Sequence, residues 1–238
     1  MPRTLFISDL HLDSSRPGVI RALAELLQGN TDCEALYILG DLFEVWVGDD
    51  DDTPLVSEIR ELFKAFTAAG PSLYLMHGNR DFLLGDDFAK SCNAELLSDP
   101  TLIDLYGTPT LLMHGDSLCT GDEEYMNFRA MARSEAWRGE ILSKSLDERR
   151  AIAAHIRAAS SEGNSNKAED IMDVTPSEVD RVMTDASVSR LIHGHTHRPA
   201  RHDVARGERV VLGDWEATGW YISASSGSFE LIKFNINQ

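Results

Sequence analysis

The chain has few cysteines, no long apolar run and a shortage of positive charge. Its 238 residues include only three cysteines, Cys33, Cys92 and Cys119, and none stands in a Cys-x-x-Cys pair. Scattered thiols exclude a disulfide framework and favour a reducing compartment. No window approaches the roughly 20 apolar residues that a membrane span needs. Met1 is followed closely by an apolar strand without a basic leader, so we expect no secretory signal and a cytoplasmic location.

Acidic residues clearly outnumber basic ones. The 39 Asp and Glu residues against 22 Lys and Arg give a formal net charge of −17. This balance argues against indiscriminate binding to nucleic acid or anionic lipid, although it allows a local basic patch. The length is sufficient for one α/β domain with an inserted subdomain.

Apolar periodicity and turn residues predict an alternation of strands and helices in the first half of the chain. The predicted strands are 5–8, 36–39, 73–76, 101–105 and 110–113, and the predicted helices are 17–27 and 54–69. Residues 122–159 have helical spacing and no strand signal, and the polar run 160–166 predicts a loop. A helix over 176–183 and strands over 190–192, 209–213, 220–223 and 228–233 complete the prediction.

Five short polar clusters follow these apolar segments. They are Asp9-Leu10-His11, Gly40-Asp41, Gly78-Asn79-Arg80-Asp81, His114-Gly115-Asp116 and Gly194-His195-Thr196-His197. Side chains at the carboxyl ends of neighbouring strands meet at one edge of an α/β sheet. Carboxylate, imidazole and amide ligands without thiolate suit Mn²⁺ or Fe²⁺ better than structural zinc. The pattern therefore predicts a two-metal centre for phosphate ester chemistry, in which the glycines allow close approach of the backbone.

Several residues near the clusters have competing interpretations. Arg80 can bind phosphate oxygens with its forked guanidinium, or it can form a structural ion pair with Asp81 or a nearby acid. His77 and His193 are expected to face away from the metals. Asp116 is expected to be a turn residue or to support the ligands, and the acidic run 49–52 is expected to be a solvated loop.

Longer stretches around the clusters resemble the UDP-2,3-diacylglucosamine hydrolase family of calcineurin-like metallophosphoesterases. They are residues 37–44, 76–85, 113–120, 171–176 and 192–199. Protein phosphatases of the superfamily usually carry His-Glu after the Asn, whereas this chain has Arg80-Asp81. The resemblance implies an α/β fold of the α+β type, a four-layer sandwich of two mixed β-sheets flanked by helices. It implies a core of residues 1–121 and 170–238 and a helical cap, 122–169, that contributes to the lipid-substrate site.

The resemblance also implies an activity and a set of site residues. The activity is hydrolysis of UDP-2,3-diacylglucosamine to UMP and 2,3-diacylglucosamine 1-phosphate (lipid X) in lipid A biosynthesis, at the cytoplasmic face of the Gram-negative inner membrane. Two Mn²⁺ per subunit would be held by Asp9, His11, Asp41, Asn79, His114, His195 and His197. The implied substrate contacts are Asn79, Arg80, Asp122, Ser160, Asn164, Lys167 and His195.

The leading mechanism is attack of a metal-activated water on the α-phosphorus, with Asn79 and Arg80 as catalytic residues. Neither nucleic acid nor an obligate protein partner is expected. A soluble nucleotide or cyclic-nucleotide phosphodiesterase with the same metals is the alternative. A binding scaffold without catalysis is disfavoured because all seven ligands are present.

The predicted cap differs from the rest of the chain in charge. Residues 129–157 contain seven basic and four acidic residues. A basic, partly apolar cap suits an anionic membrane surface and can shelter acyl chains. Trp137, Ile141 and Leu142 are the candidate apolar contacts. The alternative is an ordinary cap whose apolar residues pack only on one another.

Overall fold

The computed structural model describes the backbone of residues 2–164 and 173–237, and the side chains of 2–158 and 173–237. The strands are β1 (Thr4–Ile7), β2 (Ala35–Leu39), β3 (Ser72–Met76), β4 (Ala94–Leu97), β5 (Thr101–Leu105), β6 (Thr108–Leu112), β7 (Arg190–His193), β8 (Ala200–Val204), β9 (Gly207–Val211), β10 (Thr218–Ser225) and β11 (Ser228–Asn235). The helices are α1 (Pro17–Gly29), α2 (Pro54–Ala68), α3 (Asp86–Ser91), α4 (Glu123–Ala132), α5 (Glu135–Leu142), α6 (Leu146–Asn164) and α7 (Pro176–Asp185), and a short 3-10 helix spans Asp116–Leu118.

These strands form two mixed sheets. The first has the order β11-β10-β1-β2-β3-β4, and the second has the order β5-β6-β7-β9-β8. Strands β1 to β4 run parallel to one another, as do β6, β7 and β9 in the second sheet. The carboxyl ends of parallel strands in each sheet therefore lie side by side, which is where the polar clusters occur.

Alternation of apolar residues along the strands builds three buried layers. In β1, Leu5 and Ile7 pack with helices α1 to α3, whereas Phe6 points into the layer between the sheets. That middle layer also contains Ile192 of the second sheet, and helix α7 covers the opposite face through Met183. The order helix, sheet, sheet, helix confirms the predicted four-layer α/β sandwich.

Helices α4, α5 and α6 occupy the region predicted to be a cap. The predicted loop over 160–166 is wrong at its start, because α6 continues to Asn164. Ser and Glu cost about half a kcal/mol or less each in a helix, and the costlier Gly163 stands next to the last residue, so a helix propagating from Leu146 can extend through 160–162 at little cost. The division into a core of 1–121 and 170–238 and a cap of 122–169 stays a prediction.

The short elements α3, β4 and β8 were not predicted. Each has only four to six residues, which is too short for a clear periodic signal. The other predicted strands and helices are present, with ends shifted by a few residues.

Candidate metal centre

The predicted metal ligands adopt an unusual backbone conformation. Eight non-glycine residues in the described chain have positive φ, and five of them belong to the predicted ligand set: Asp9, His11, Asp41, His195 and His197. Side chains rarely adopt this region because of steric conflict with the backbone. Strain of this kind concentrates at functional sites, where the surrounding structure holds the chain in place.

The first group of ligand atoms lies where β1 and the loop after β7 meet. Asp9, His11 and His197 each offer one ligand atom, and these atoms lie within 4.8 Å of one another. His11 Nε2 is 3.2 Å from His197 Nε2, and His197 Nε2 is 3.5 Å from Asp9 Oδ1. Asp41 Oδ2 is 3.9 Å from His11 Nε2, so this carboxylate also faces the group.

A second group shares the carboxylates of the first. Asp9, Asp41 and His114 again have ligand atoms within 4.8 Å. The Oδ1 of Asn79 is 2.9 Å from His114 Nε2 and 2.8 Å from His195 Nδ1. All seven predicted ligands therefore converge on one cleft as two adjoining groups, although their role as ligands stays a prediction.

Glycines allow the ligand loops to approach one another. A β-carbon at Gly78 would overlap the Asp41 carboxylate, and one at Gly194 would overlap the Asp9 carboxylate. At Gly40, which has φ +89°, a β-carbon would lie 2.6 Å from His114 Nδ1. Close approach of backbone to ligands, as predicted for these three glycines, is therefore a steric requirement of the cleft.

The electrostatics of the cleft fit bound cations. Burial lowers the pKa of His114, but Asp41, Asp116 and Asp9 outweigh this and raise it to about 9. Burial and the charge of His114 lower the pKa of His195 to about 4. Carboxylates thus favour the protonated form of His114 and also raise the pKa of His197, and divalent cations would replace such protons. The donor set and the glycine contacts also fit a dinuclear metal site.

His114 is held in one orientation. Its Nδ1 donates to the carbonyl oxygen of Leu39 at 2.9 Å, which leaves Nε2 directed at Asn79. Ser8 Oγ similarly donates to Asp9 Oδ2 at 2.6 Å, and the His195 amide donates to the same oxygen at 2.9 Å. Such contacts fix the orientation of a metal ligand before the metal binds.

Arg80 pairs with a nearby acid, Asp41, and not with Asp81. The fully buried Asp81 instead accepts backbone N–H groups of Gly78 and Leu42, each at 2.7 Å. Burial and the neighbouring Asp41 raise the pKa of Asp81. Arg80 Nε is buried without a hydrogen-bond partner and lies 3.9 Å from Asp41 Oδ2. This guanidinium borders the metal cleft, where it can meet a phosphate.

Asp116 joins the cleft to helix α4 and lies behind the ligands. Its Oδ2 accepts hydrogen bonds from Tyr125 Oη at 2.6 Å, Arg129 Nε at 2.8 Å and Arg133 Nη2 at 3.1 Å. Sequence reasoning missed Tyr125, which borders both the metal cleft and the apolar cavity described below. The available signal was its position in the first turn of a helix whose N-cap is Asp122.

The structure describes the side chains of only four of the seven predicted substrate contacts. Asn79, Arg80, Asp122 and His195 all line a cleft of about 250 Å³ at the metal centre. Asp122 Oδ1 also accepts the Tyr125 amide at 3.0 Å. The side chains of Ser160 and Asn164 lie outside the described set, and Lys167 lies outside the described residues altogether.

An apolar cavity adjoins the metal cleft. It has a volume of about 300 Å³ and shares Asn79, Arg80 and Tyr125 with the cleft. This volume is at the lower end of the range for ligand pockets. Side chains of helices α4, α5 and α6 form much of its wall, including Phe128, Trp137, Ile141, Ile152 and Ile156. Leu142, the third predicted apolar contact, does not line it and is 41% exposed.

The acidic run after β2 is a loop in which Asp50 and Asp52 are exposed, as its composition predicts, but its carboxylates are paired. Arg149 is buried and pairs with both Asp50 oxygens, and Arg150 pairs with Asp51 and Asp52. Asp49 accepts the amides of two residues at the start of α3. Sequence reasoning could not pair charges that lie about a hundred positions apart.

Five of the seven basic residues in segment 129–157 form ion pairs with acidic residues outside it. They are Arg129, Arg133, Arg149, Arg150 and Arg157. Much of the local positive charge is therefore neutralised within the protein and is not a free surface for anionic lipid.

His77 and His193 contact the backbone. His77 Nε2 lies 2.6 Å from the Leu84 carbonyl oxygen, and His193 Nδ1 lies 2.8 Å from the Gly194 carbonyl oxygen. Burial and the nearby Arg209 lower the pKa of His193 to about 3. A neutral, buried His193 fits the expectation that it faces away from the metals.

The geometry agrees with the relatives of the chain. The sequence profile of the calcineurin-like phosphoesterases matches residues 2–199, which defines the class of protein. A UDP-2,3-diacylglucosamine hydrolase of Cellvibrio japonicus is 52% identical over 98% of this chain and 99% of its own length. The protein of the same name from Marinobacter nauticus is 50% identical over 93% of both chains. The chain therefore belongs to the UDP-2,3-diacylglucosamine hydrolase family of calcineurin-like phosphoesterases.

Solved structures support the fold. An archaeal phosphodiesterase superposes with a TM-score of 0.52 at 12% identity, covering 98% of this chain and 99% of its own. A hypothetical protein of Pyrococcus horikoshii also gives a TM-score of 0.52, at 10% identity, over 99% of this chain and 88% of its own. At such low identity the likeness concerns the fold alone.

Proposed function

We propose that this protein hydrolyses the pyrophosphate bond of UDP-2,3-diacylglucosamine and releases UMP and 2,3-diacylglucosamine 1-phosphate. The observation that carries the proposal is the apolar cavity beside the metal cleft. A substrate that joins a pyrophosphate to two acyl chains needs a polar, cation-binding site continuous with an apolar one. The names of the near relatives support the same substrate, and by the family resemblance we assign the reaction to lipid A biosynthesis.

The seven converging side chains would hold two cations, and we propose Mn²⁺ because the set lacks thiolates. When bound, such cations polarise a phosphoryl group and lower the pKa of water. Arg80 would pair with the pyrophosphate oxygens, because its Nε has no hydrogen-bond partner and the residue lines both the cleft and the cavity. Asn79 would orient the same phosphate through its contacts with His114 and His195.

Helices α4 to α6 would act as a cap, residues 122–169, that shelters the acyl chains. Trp137 and Ile141 line the cavity, so they fit this role better than packing only on other cap residues. Asp122 would contact the substrate from the cleft, and Ser160, Asn164 and Lys167 are assigned to the substrate by resemblance alone.

The proposal is tested by hydrolysis of the lipid nucleotide with Mn²⁺ in oxygen-18 water. We expect the label in UMP, because the water attacks the α-phosphorus. Label in the sugar phosphate would overturn this direction of attack. Turnover of short soluble diesters that exceeds turnover of the lipid nucleotide would favour the alternative, a soluble phosphodiesterase.

We also propose peripheral association with the cytoplasmic face of the inner membrane, where a lipid substrate resides. In the part of the chain that is described, no helix is both long and apolar enough to cross a bilayer. Met131 and Leu142, on α4 and α5, are 49% and 41% exposed and are candidates for shallow insertion. Co-sedimentation with phospholipid vesicles should fall when both are changed to Ser, and unchanged binding would contradict this contact.

A further inference from the structure

Glu44 lies between the metal centre and helix α6. Its Oε2 is 3.1 Å from Nδ1 of the predicted ligand His11. Its Oε1 forms an ion pair with the guanidinium of Arg157, which lines the apolar cavity. A single carboxylate therefore contacts both a residue of the metal cleft and a residue of the cavity wall.

Backbone pairing keeps Glu44 beside His11. The His11 amide donates to the Asp41 carbonyl at 3.0 Å, and the Glu44 amide donates to the Leu12 carbonyl at 3.1 Å. Leu12 and Phe43 form a parallel bridge between these two hydrogen bonds. The carboxylate cannot leave His11 by backbone movement unless this pairing breaks.

The chemistry of His11 requires such a neighbour. Its Nε2 faces His197 and Asp41, so Nε2 would bind the metal and Nδ1 would carry the proton. Nδ1 is buried and has no well-aligned hydrogen-bond partner, although Glu44 Oε2 is within reach. Metal-binding histidines generally donate their second N–H to a carboxylate or carbonyl, which fixes the tautomer and the ring orientation.

We propose that Glu44 is a positioning residue, which orients His11 for metal binding and is itself held in place by Arg157. The inference rests on the proposed dinuclear centre. It predicts that Arg157 influences metal affinity without touching a predicted ligand, because the cavity wall and the cleft meet through one carboxylate. A substrate bound in the cavity would thereby contact Arg157, which holds the carboxylate that orients His11.

The test is a calorimetric titration of the metal-free protein with Mn²⁺, without substrate. Glu44→Ala should raise the Kd of one of the two Mn²⁺ ions about 10- to 100-fold, as is typical when a carboxylate behind a metal-binding histidine is lost. Glu44→Gln keeps an acceptor oxygen and should give a smaller increase. Arg157→Met should raise the same Kd a few-fold, and should add nothing in the Glu44→Ala background, because the two act in series.

Arg150→Met is the matched control. Arg150 lies on the same helix and ties it to Asp51 and Asp52, but it has no contact with Glu44 among the described ion pairs. Its removal should leave the Kd for Mn²⁺ unchanged. An equal increase in the Arg150 and Arg157 variants would overturn the link through Glu44 and assign the effect to general anchoring of the helix.

Circular dichroism and thermal unfolding establish whether each variant is folded. If Glu44→Ala is not, the isosteric Glu44→Gln supplies the decisive titration. An unchanged Kd in a folded Glu44 variant overturns the positioning role. Because the titration contains no lipid nucleotide, a wild type that binds two Mn²⁺ but does not turn over that substrate would defeat the proposed function alone.

Discussion

The cleft at the strand ends and the helices α4 to α6 differ in how their residues are held in place. In the cleft, each predicted ligand stands within a few residues of a strand end, five of the seven have a strained backbone conformation, and glycines pack against the carboxylates. The helices are instead attached to the body by ion pairs between distant residues, such as Arg149 with Asp50. The cleft is therefore specified locally, whereas the placement of the helices depends on long-range charge pairing and apolar packing.

This difference suggests a division of labour. The strained, closely packed cleft provides a fixed set of donors, which phosphate chemistry with two cations requires. The helices provide the apolar wall that would recognise the lipid. Changes in the cleft should then abolish the reaction, and changes in the wall should alter only the choice of substrate.

Loss of a shared carboxylate should have the largest effect. Asp41 faces both ligand groups, so Asp41→Ala should reduce kcat by more than about 10³-fold, beyond the loss from one transition-state donor. Turnover of lipid nucleotide and of a soluble diester should fall together. The exposed Asp87 on α3 supplies the control, since Asp87→Ala should retain full activity. Selective loss of one substrate would contradict the division of labour.

Filling the apolar cavity should have an intermediate effect. Ala153 on α6 lines this cavity, and Ala153→Phe would occupy space that we assign to an acyl chain. We expect kcat/KM for the lipid nucleotide to fall about 10-fold, which corresponds to about 1.4 kcal/mol of lost contact. Hydrolysis of a soluble diester with Mn²⁺ should not change. A parallel fall for both substrates would show that the cavity is not a separate lipid site.

Two glycine variants should change the stability of the protein, with opposite signs, and Gly139→Ala should have the smallest effect. A β-carbon at Gly139, on α5, would meet no atom within 4 Å, so Gly139→Ala should stabilise the protein by about 0.5–1 kcal/mol through helix propensity. A β-carbon at Gly78 would overlap Asp41, and Gly78→Ala should destabilise by about 1–3 kcal/mol because overpacked sites must shift. Urea unfolding followed by circular dichroism measures both. A stabilised Gly78→Ala would contradict the tight packing of the cleft.

Local motifs made the cleft ligands predictable, but not the residues that hold the ligand loops in place. The pairs Asp9-x-His11 and His195-x-His197 and the strands before them indicated both the ligands and their convergence. The role of Asp81 was not predicted, because this carboxylate accepts hydrogen bonds from backbone amides of a loop about forty positions away. Backbone partners of this kind carry no signal in side-chain type.

The helices were predictable as helices but not in their attachment. Composition indicated a helical segment with excess positive charge, and the structure shows most of that charge paired with acids outside the segment. The role of Glu44 could not be predicted from the sequence, since a single Glu after a strand can have many different roles. Its contact with His11 and Arg157 depends on elements more than thirty and more than a hundred positions away.

The strands and the order of the ligand motifs could be read from the sequence, because alternation and short motifs are encoded by residues close together in the chain. The family, and with it the sandwich of two sheets, followed from the resemblance that those motifs carry. The tertiary structure alone decided which charges neutralise the helical segment, where the apolar cavity opens and how Glu44 joins it to the cleft. Those contacts arise between residues far apart in sequence, and only the packed fold brings their side chains within bonding distance.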